Sequence, residues 1–232
     1  MTHNFDWVSI FGTMGFISSQ LMNFSIVPSI LQIHSSKSTL AFSSFPPIIG
    51  ITNSIHNILY ASTRNNMFVI YSSSLSFSLN LIFTMVHLKY SKVRNTIYRQ
   101  VVYFPIMTTL LALILVSLTR YFYCSPIHID NFCDSIIQRI LGSLSTIIST
   151  LSYCGQLSSL GTVLKTRNAC SISPWITAGV AVRASSWFVF AILTNDVFYT
   201  ISTSIGLLSV VTQIYLLVRY PRPTKLVVEK LD

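Results

Sequence analysis

Seven apolar stretches follow one another along the chain, at approximately 8–33, 43–63, 68–88, 101–121, 136–163, 174–194 and 197–218. A helix needs about 20 mostly apolar residues to cross a hydrocarbon core of about 30 Å, because each residue rises 1.5 Å. The chain therefore reads as an all-α membrane protein of seven transmembrane helices. Composition agrees. Charged residues make up only 9% of the chain, against about 25% in a typical soluble domain, and the mean hydropathy is +0.62. The opening residues MTHNFDW carry no basic region ahead of the apolar stretch. A cleaved signal peptide is not expected, and the first helix is expected to be retained. Two spans, 68–88 and 136–163, are rich in Ser and Thr. Hydroxyls within a membrane helix bond their own backbone or a neighbouring helix, so these spans predict faces turned toward other helices or a wet cavity.

Basic residues set the orientation. Alternate loops collect Lys37, then Lys89, Lys92, Arg94 and Arg99, then Lys165 and Arg167, then Arg219, Arg222, Lys225 and Lys230, eleven of the fifteen Lys and Arg. The other side holds Arg64, Arg120 and Arg139 together with Asp6, Asp130, Asp134 and Asp196. The C-terminus is thus expected in the cytoplasm and the N-terminus outside or in a lumen, in the plasma membrane or a Golgi or other endomembrane. The net charge of +9 is explained by cytoplasmic loops that touch anionic lipid, and no nucleic-acid partner is expected.

The chain also repeats itself. At an offset of 130 positions Lys37 meets Arg167, Tyr60 meets Phe190, Ala61 meets Ala191, Ser73 meets Thr203, and Lys89-Tyr90 meets Arg219-Tyr220; Pro46 and Pro174 pair at 128. Two copies of three helices share one orientation only if a single helix separates them, and 101–121 supplies it. The expected organisation is a 3+1+3 arrangement of parallel repeats. It has a first repeat over 1–92, a linker helix and outer loop over 93–134, a second repeat over 135–220 and a cytoplasmic tail over 221–232. Matched halves of this kind are a transporter signature, since a site between them opens by rocking one against the other.

The stretch SIVPSILQIHSSKSTLAFSSFPP, followed by NILYAS, resembles the first repeat of the SWEET sugar transporters. YCGQLSSLGTVLKTRNACSISP, then SSWFVFAILTNDVFYTIST, resembles the second. The resemblance implies a sugar substrate held at mid-membrane by an asparagine from the third helix of each repeat and by residues of the second helices. Trp187, just before FVFA, takes the family's tryptophan position, and Asn57, ahead of ILYA, is its counterpart in the first half. The two asparagine positions fall on Ser73 and Thr203. Of the family's four kink prolines, Pro46 and Pro174 match. Pro28 lies two residues beyond the usual first position, and Gln156 stands at the remaining one. Arg183 replaces a polar residue usual four positions before the tryptophan. Members of the family also form homo-oligomers, although no residue pattern here specifies one.

Each candidate residue has two readings. Trp187 offers an aromatic plane for the C–H face of a sugar, or it is a packing or interfacial tryptophan. Ser73 and Thr203 each supply one donor and two lone pairs on a short stem, for a ligand or for helix packing. Arg183 is an ionisable group within a span, a functional hypothesis by default. It lies one turn before Trp187 on the same face, ready to meet a substrate oxygen or carboxylate, to pair with Asn53 or proline-freed carbonyls, or to snorkel. His56 is expected to face a neighbouring helix. Pro28, Pro46 and Pro174 are hinges, or Pro46 and Pro174 are ordinary first-turn residues, and Gly155-Gln156 loosens its helix less sharply.

No Asp or Glu falls within a proposed span, which favours facilitated diffusion over ion coupling. No nucleophile–base pair, cofactor motif or metal-ligating cluster is present, so neither an enzyme nor a metalloprotein is expected. Cys124 and Cys133 share the non-cytoplasmic loop, where they either bond or remain free thiols. The expected function is a uniporter of mono- or disaccharides working by alternating access. Two rivals are a PQ-loop-like amino-acid transporter, suggested by Gln156 before a basic turn, and a non-transporting seven-helix receptor, adaptor or degenerate paralogue.

Overall fold

The computed structural model describes residues 6–39, 44–91, 94–123, 130–167 and 174–220, and the regular elements among them are all α-helices. In chain order they are α1 (Trp7–Phe24), α2 (Val27–Ser36), α3 (Phe45–Thr63), α4 (Met67–Tyr90), α5 (Arg94–Tyr123), α6 (Asp130–Thr166), α7 (Pro174–Leu193) and α8 (Val197–Arg219). Helices α1 and α2 form one span over Trp7–Ser36, giving seven crossings among the described residues.

That first span is broken where the sequence predicts a continuous helix over 8–33. The Ser25 N–H turns back to Leu21 O and Met22 O, the Ile26 N–H goes to Asn23 O, and α2 begins with Pro28 in its first turn. Proline has no N–H to continue the ladder and crowds the preceding turn. The chain therefore closes one helix and starts another. The equivalent helix of the second half, α6, runs unbroken through Gln156, whose side chain lies outside the described residues. Pro46 and Pro174 both occupy the first turn of their helices, where a missing N–H costs no hydrogen bond.

Five helical spans are long and apolar enough to cross a membrane by composition, and among the described residues α3 and α6 fall short of that standard. The hydroxyl-rich span 68–88 meets that standard as α4, whereas α3, with its polar middle, does not. Thr52, Asn53, Ser54, His56 and Asn57 turn away from lipid there, and Thr52 and His56 are almost fully buried. His56 faces α5 as expected, with Nε2 3.4 Å from Thr108 O.

The backbone carries the duplication in its turns. Four non-glycine residues take positive φ: Lys37 at 50°, Asn65 at 52°, Arg167 at 51° and Asn195 at 49°. Lys37 and Arg167 are 130 positions apart, as are Asn65 and Asn195. This left-handed conformation is uncommon outside glycine, so its recurrence at one offset is strong evidence of two copies of the same turn sequence. The next residue repeats too. Asn66 caps α4 through Val69 N and Asp196 caps α8 through Tyr199 N, each side chain satisfying a donor that the helix start leaves unpaired.

The repeats interlock. Within them α4 packs on α1 and α3, and α8 packs on α6 and α7; between them α1 packs on α7 and α3 on α6. The six spans therefore close a ring in the order α1, α4, α3, α6, α8, α7, with approximate two-fold symmetry along the membrane normal. The linker α5 lies outside it against α3 and α6 and presents exposed Ile106, Leu110, Leu113 and Ile114. The end of the bundle with Lys37, Lys89, Arg99, Arg167 and Arg219 is called the basic end below. The opposite end carries Arg64 and Asp196.

Candidate functional site

The ring encloses a cavity of about 410 Å³, within the range usual for small-molecule sites. It reaches from Trp187 and Tyr199, the latter in the first turn of α8, to Phe45 and Pro46 at the basic end, where Phe45 is exposed. Helix α3 contributes Asn53 and Asn57, α4 contributes Ser72, Ser73, Ser76 and Asn80, α7 contributes Arg183 and Trp187, and α8 contributes Ser202 and Thr203. All five residues expected at a substrate site, Trp187, Asn57, Ser73, Thr203 and Arg183, line this one cavity.

Trp187 is 6% exposed and points inward between α7 and α1. Its Nε1–H donates to Ser19 Oγ at 2.8 Å. Gly15 fits against its ring so closely that a Cβ there would lie 2.8 Å from Cδ2 and 2.9 Å from Cε2. Phe190 and Tyr199 meet the indole edge-to-face at 5.4 and 5.7 Å, the arrangement ring quadrupoles favour.

The asparagines of α3 are held by the neighbouring α6 of the other half. Ser145 Oγ donates to Asn57 Oδ1 at 2.6 Å, and Ser149 Oγ to Asn53 Oδ1 at 2.7 Å. With their carbonyls engaged, the two amides keep their N–H donors for the cavity. Thr203 gives its proton to Tyr199 O at 2.8 Å, so toward the cavity it is an acceptor. Asn80 donates to Ser76 O at 2.8 Å and packs closely on Gly50. On α1, Gln20 donates to Ser72 and Asn23 to Ser76, cross-links within the first half.

The end opposite the basic one is shut. Phe190 and Phe68 line a second recess there, together with Arg64 and Asp196. Phe190 touches Phe68 at 5.9 Å and Trp187 at 5.4 Å, so a layer of four rings separates recess from cavity. Gly12 gives this layer room, since a Cβ would come within 2.8 Å of Phe68. Above it, Asp196, 6% exposed, accepts a hydrogen bond from Tyr60 Oη at 2.6 Å and pairs with Arg64 Nε at 3.8 Å. Arg64 Nη2 also donates to Thr194 O. The two matched turns are thereby tied together. Sequence reading did not find this cluster: Tyr60 is matched there only with Phe190, which hides its hydroxyl.

Among the described residues no hydrogen bond joins Arg183 to Asn53, whose Oδ1 accepts from Ser149. Cys133 is disulfide-bonded, and Cys124 lies outside the described residues.

A family model described as "sugar efflux transporter for intercellular exchange" matches residues 139–225. The rice bidirectional sugar transporter SWEET11 (Oryza sativa subsp. japonica) is 23% identical over 190 residues, which cover 82% of this chain and 59% of the rice protein. The Arabidopsis thaliana bidirectional sugar transporter SWEET10 is 22% identical over 223 residues, 95% of this chain and 73% of the plant protein. The chain thus spans about three fifths to three quarters of the length of these relatives. A solved structure of a eukaryotic SWEET transporter superposes with a TM-score of 0.74 at 17% identity, covering 90% of this chain and 94% of that one. The seven-helix fold of parallel repeats is therefore shared with that transporter.

Proposed function

We propose, from the premise that this chain is a divergent relative of the SWEET sugar transporters, that it moves a mono- or disaccharide down its gradient by alternating access. The observation that carries this reading is the cavity between the matched halves. It is lined by hydroxyls and amides, covered by Trp187, closed at one end by four aromatic rings, and continuous with the basic end. A sugar needs both an apolar plane and a ring of donors and acceptors, because polar groups left unpaired at that depth are costly. Trp187 would cover a sugar face; Asn57, Ser73 and Thr203 would meet its hydroxyls. The basic end would face the cytoplasm with the C-terminus, the N-terminus lying outside or in a lumen. Pro28 would mark the bend through which the inner mouth closes, with Pro46 and Pro174 heading the helices that move, while the Tyr60–Asp196–Arg64 cluster parts.

Among the described residues the cavity lining includes no Asp or Glu, which favours uniport over proton or sodium coupling. It also disfavours an amino-acid substrate, whose ammonium would have no counter-charge. Uptake of radiolabelled sugars and of arginine or cystine into vesicles, with and without a pH gradient, tests the reading. Saturable sugar uptake that ignores the gradient and is abolished by Trp187→Ala is expected. Amino-acid uptake in its place, or sugar uptake that requires the gradient, overturns it.

A further inference from the structure

Arg183 lies at the middle of α7, nine residues from Pro174 and ten from Leu193. At 1.5 Å per residue each end is about 14 Å away, farther than the side chain can snorkel. Its helix position aims it, like Trp187, into the cavity, which it lines. Among the described residues it makes no hydrogen bond and no ion pair; the salt bridge that does form is Arg64 with Asp196, beyond the aromatic layer. Among the described residues that line the cavity, no other side chain is charged. Two further donors, the amides of Asn53 and Asn57, share the lining, their carbonyls already taken by Ser149 and Ser145.

A neutral sugar would leave this guanidinium unpaired when the mouth closes over it, an expensive state in a dry site. A carboxylate would pair with it, two oxygens matching the planar fork. A dianionic phosphate would leave a negative charge, since no second cation lines the cavity among the described residues. We infer that the preferred substrate of this cavity is a sugar carrying one carboxylate, of the uronate type, with its carboxylate on Arg183 and its hydroxyls on Asn57, Ser73 and Thr203. The inference rests on the sugar-carrier reading and narrows its substrate class.

The test is competition in vesicles containing the full-length protein, with radiolabelled glucuronate, glucose and glucose 6-phosphate compared at equal concentration. In the wild type, glucuronate is expected to enter at least tenfold faster than either of the others. Arg183→Gln is expected to lower the glucuronate-to-glucose ratio at least tenfold, and Arg183→Lys to recover part of it. Wild-type uptake in which glucose equals or exceeds glucuronate overturns the inference without recourse to any variant, and leaves the sugar carrier standing. A faster glucose 6-phosphate overturns the monoanion. An unchanged ratio in Arg183→Gln removes Arg183 from recognition. Entry of amino acids but of no sugar removes the carrier reading itself.

Discussion

Tyr60 donates its hydroxyl to the buried carboxylate of Asp196 at 2.6 Å, joining α3 of the first half to the head of α8 in the second across 136 positions of sequence. Asp196 also caps α8 and holds Arg64, so one carboxylate serves three partners. A hydrogen bond to a charged group contributes about 1.5–3 kcal/mol. Asp196→Ala is expected to lower the thermal midpoint in detergent more than Tyr60→Phe does. The double variant should be no worse than Asp196→Ala alone, because the Tyr60 contact is already gone. Additive losses would mean that the two residues do not act together.

Gly15 and Trp187 give a steric prediction. A methyl at position 15 would sit 2.8 Å from an indole that Phe190 and Tyr199 confine from its edges. Gly15→Val is therefore expected to reduce uptake at least tenfold, approaching Trp187→Ala. At Gly161 nothing lies within 4 Å of an added Cβ, and Gly161→Ala should leave uptake within about twofold of wild type. Equal effects at the two glycines would show that packing on Trp187 is unimportant.

Ser73 and Thr203 stand where the resemblance places asparagines. Asparagine reaches farther and offers both a donor pair and an acceptor. Ser73→Asn with Thr203→Asn is expected to lower the half-saturating sugar concentration several-fold, whereas Asn57→Ala should raise it. Concentration dependence of uptake measures both. No change in either would take these positions out of the binding site.

The break between α1 and α2 depends on Pro28. Pro28→Ala restores an N–H and is expected to make the span more continuous, slowing uptake several-fold with little change in half-saturation. An unaltered maximal rate would show that this break does not take part in opening the mouth.

The spans and the duplication were legible because both rest on local pattern. The expected stretches 174–194 and 197–218 lie within a residue of α7 and α8, since hydropathy and length decide a membrane helix directly. The 130-residue offset reappears as paired left-handed turns at Lys37 and Arg167 and at Asn65 and Asn195. The convergence of Trp187, Asn57, Ser73, Thr203 and Arg183 on one cavity was foreseeable only through the resemblance, because no residue spacing encodes which helices become neighbours. Less was readable where a side chain's meaning depends on a distant partner. The loop residues Arg64 and Asp196 look like ordinary surface charges until the halves meet, and Ser145 and Ser149 look like packing hydroxyls until Asn57 and Asn53 stand opposite them. Hydropathy alone makes the first span continuous, because Pro28 also fits a simple kink; the turn at Ser25–Ile26 needs backbone geometry.

The central claim is one site served alternately from the two faces, and counterflow tests it most directly. Vesicles preloaded with unlabelled glucuronate or glucose are diluted into a trace of the same labelled sugar. A carrier of this kind should accumulate label transiently above its equilibrium level, with no pH gradient and without Trp187→Ala showing the same overshoot. Label that rises only to equilibrium, at a rate indifferent to the preloaded sugar, would contradict the account.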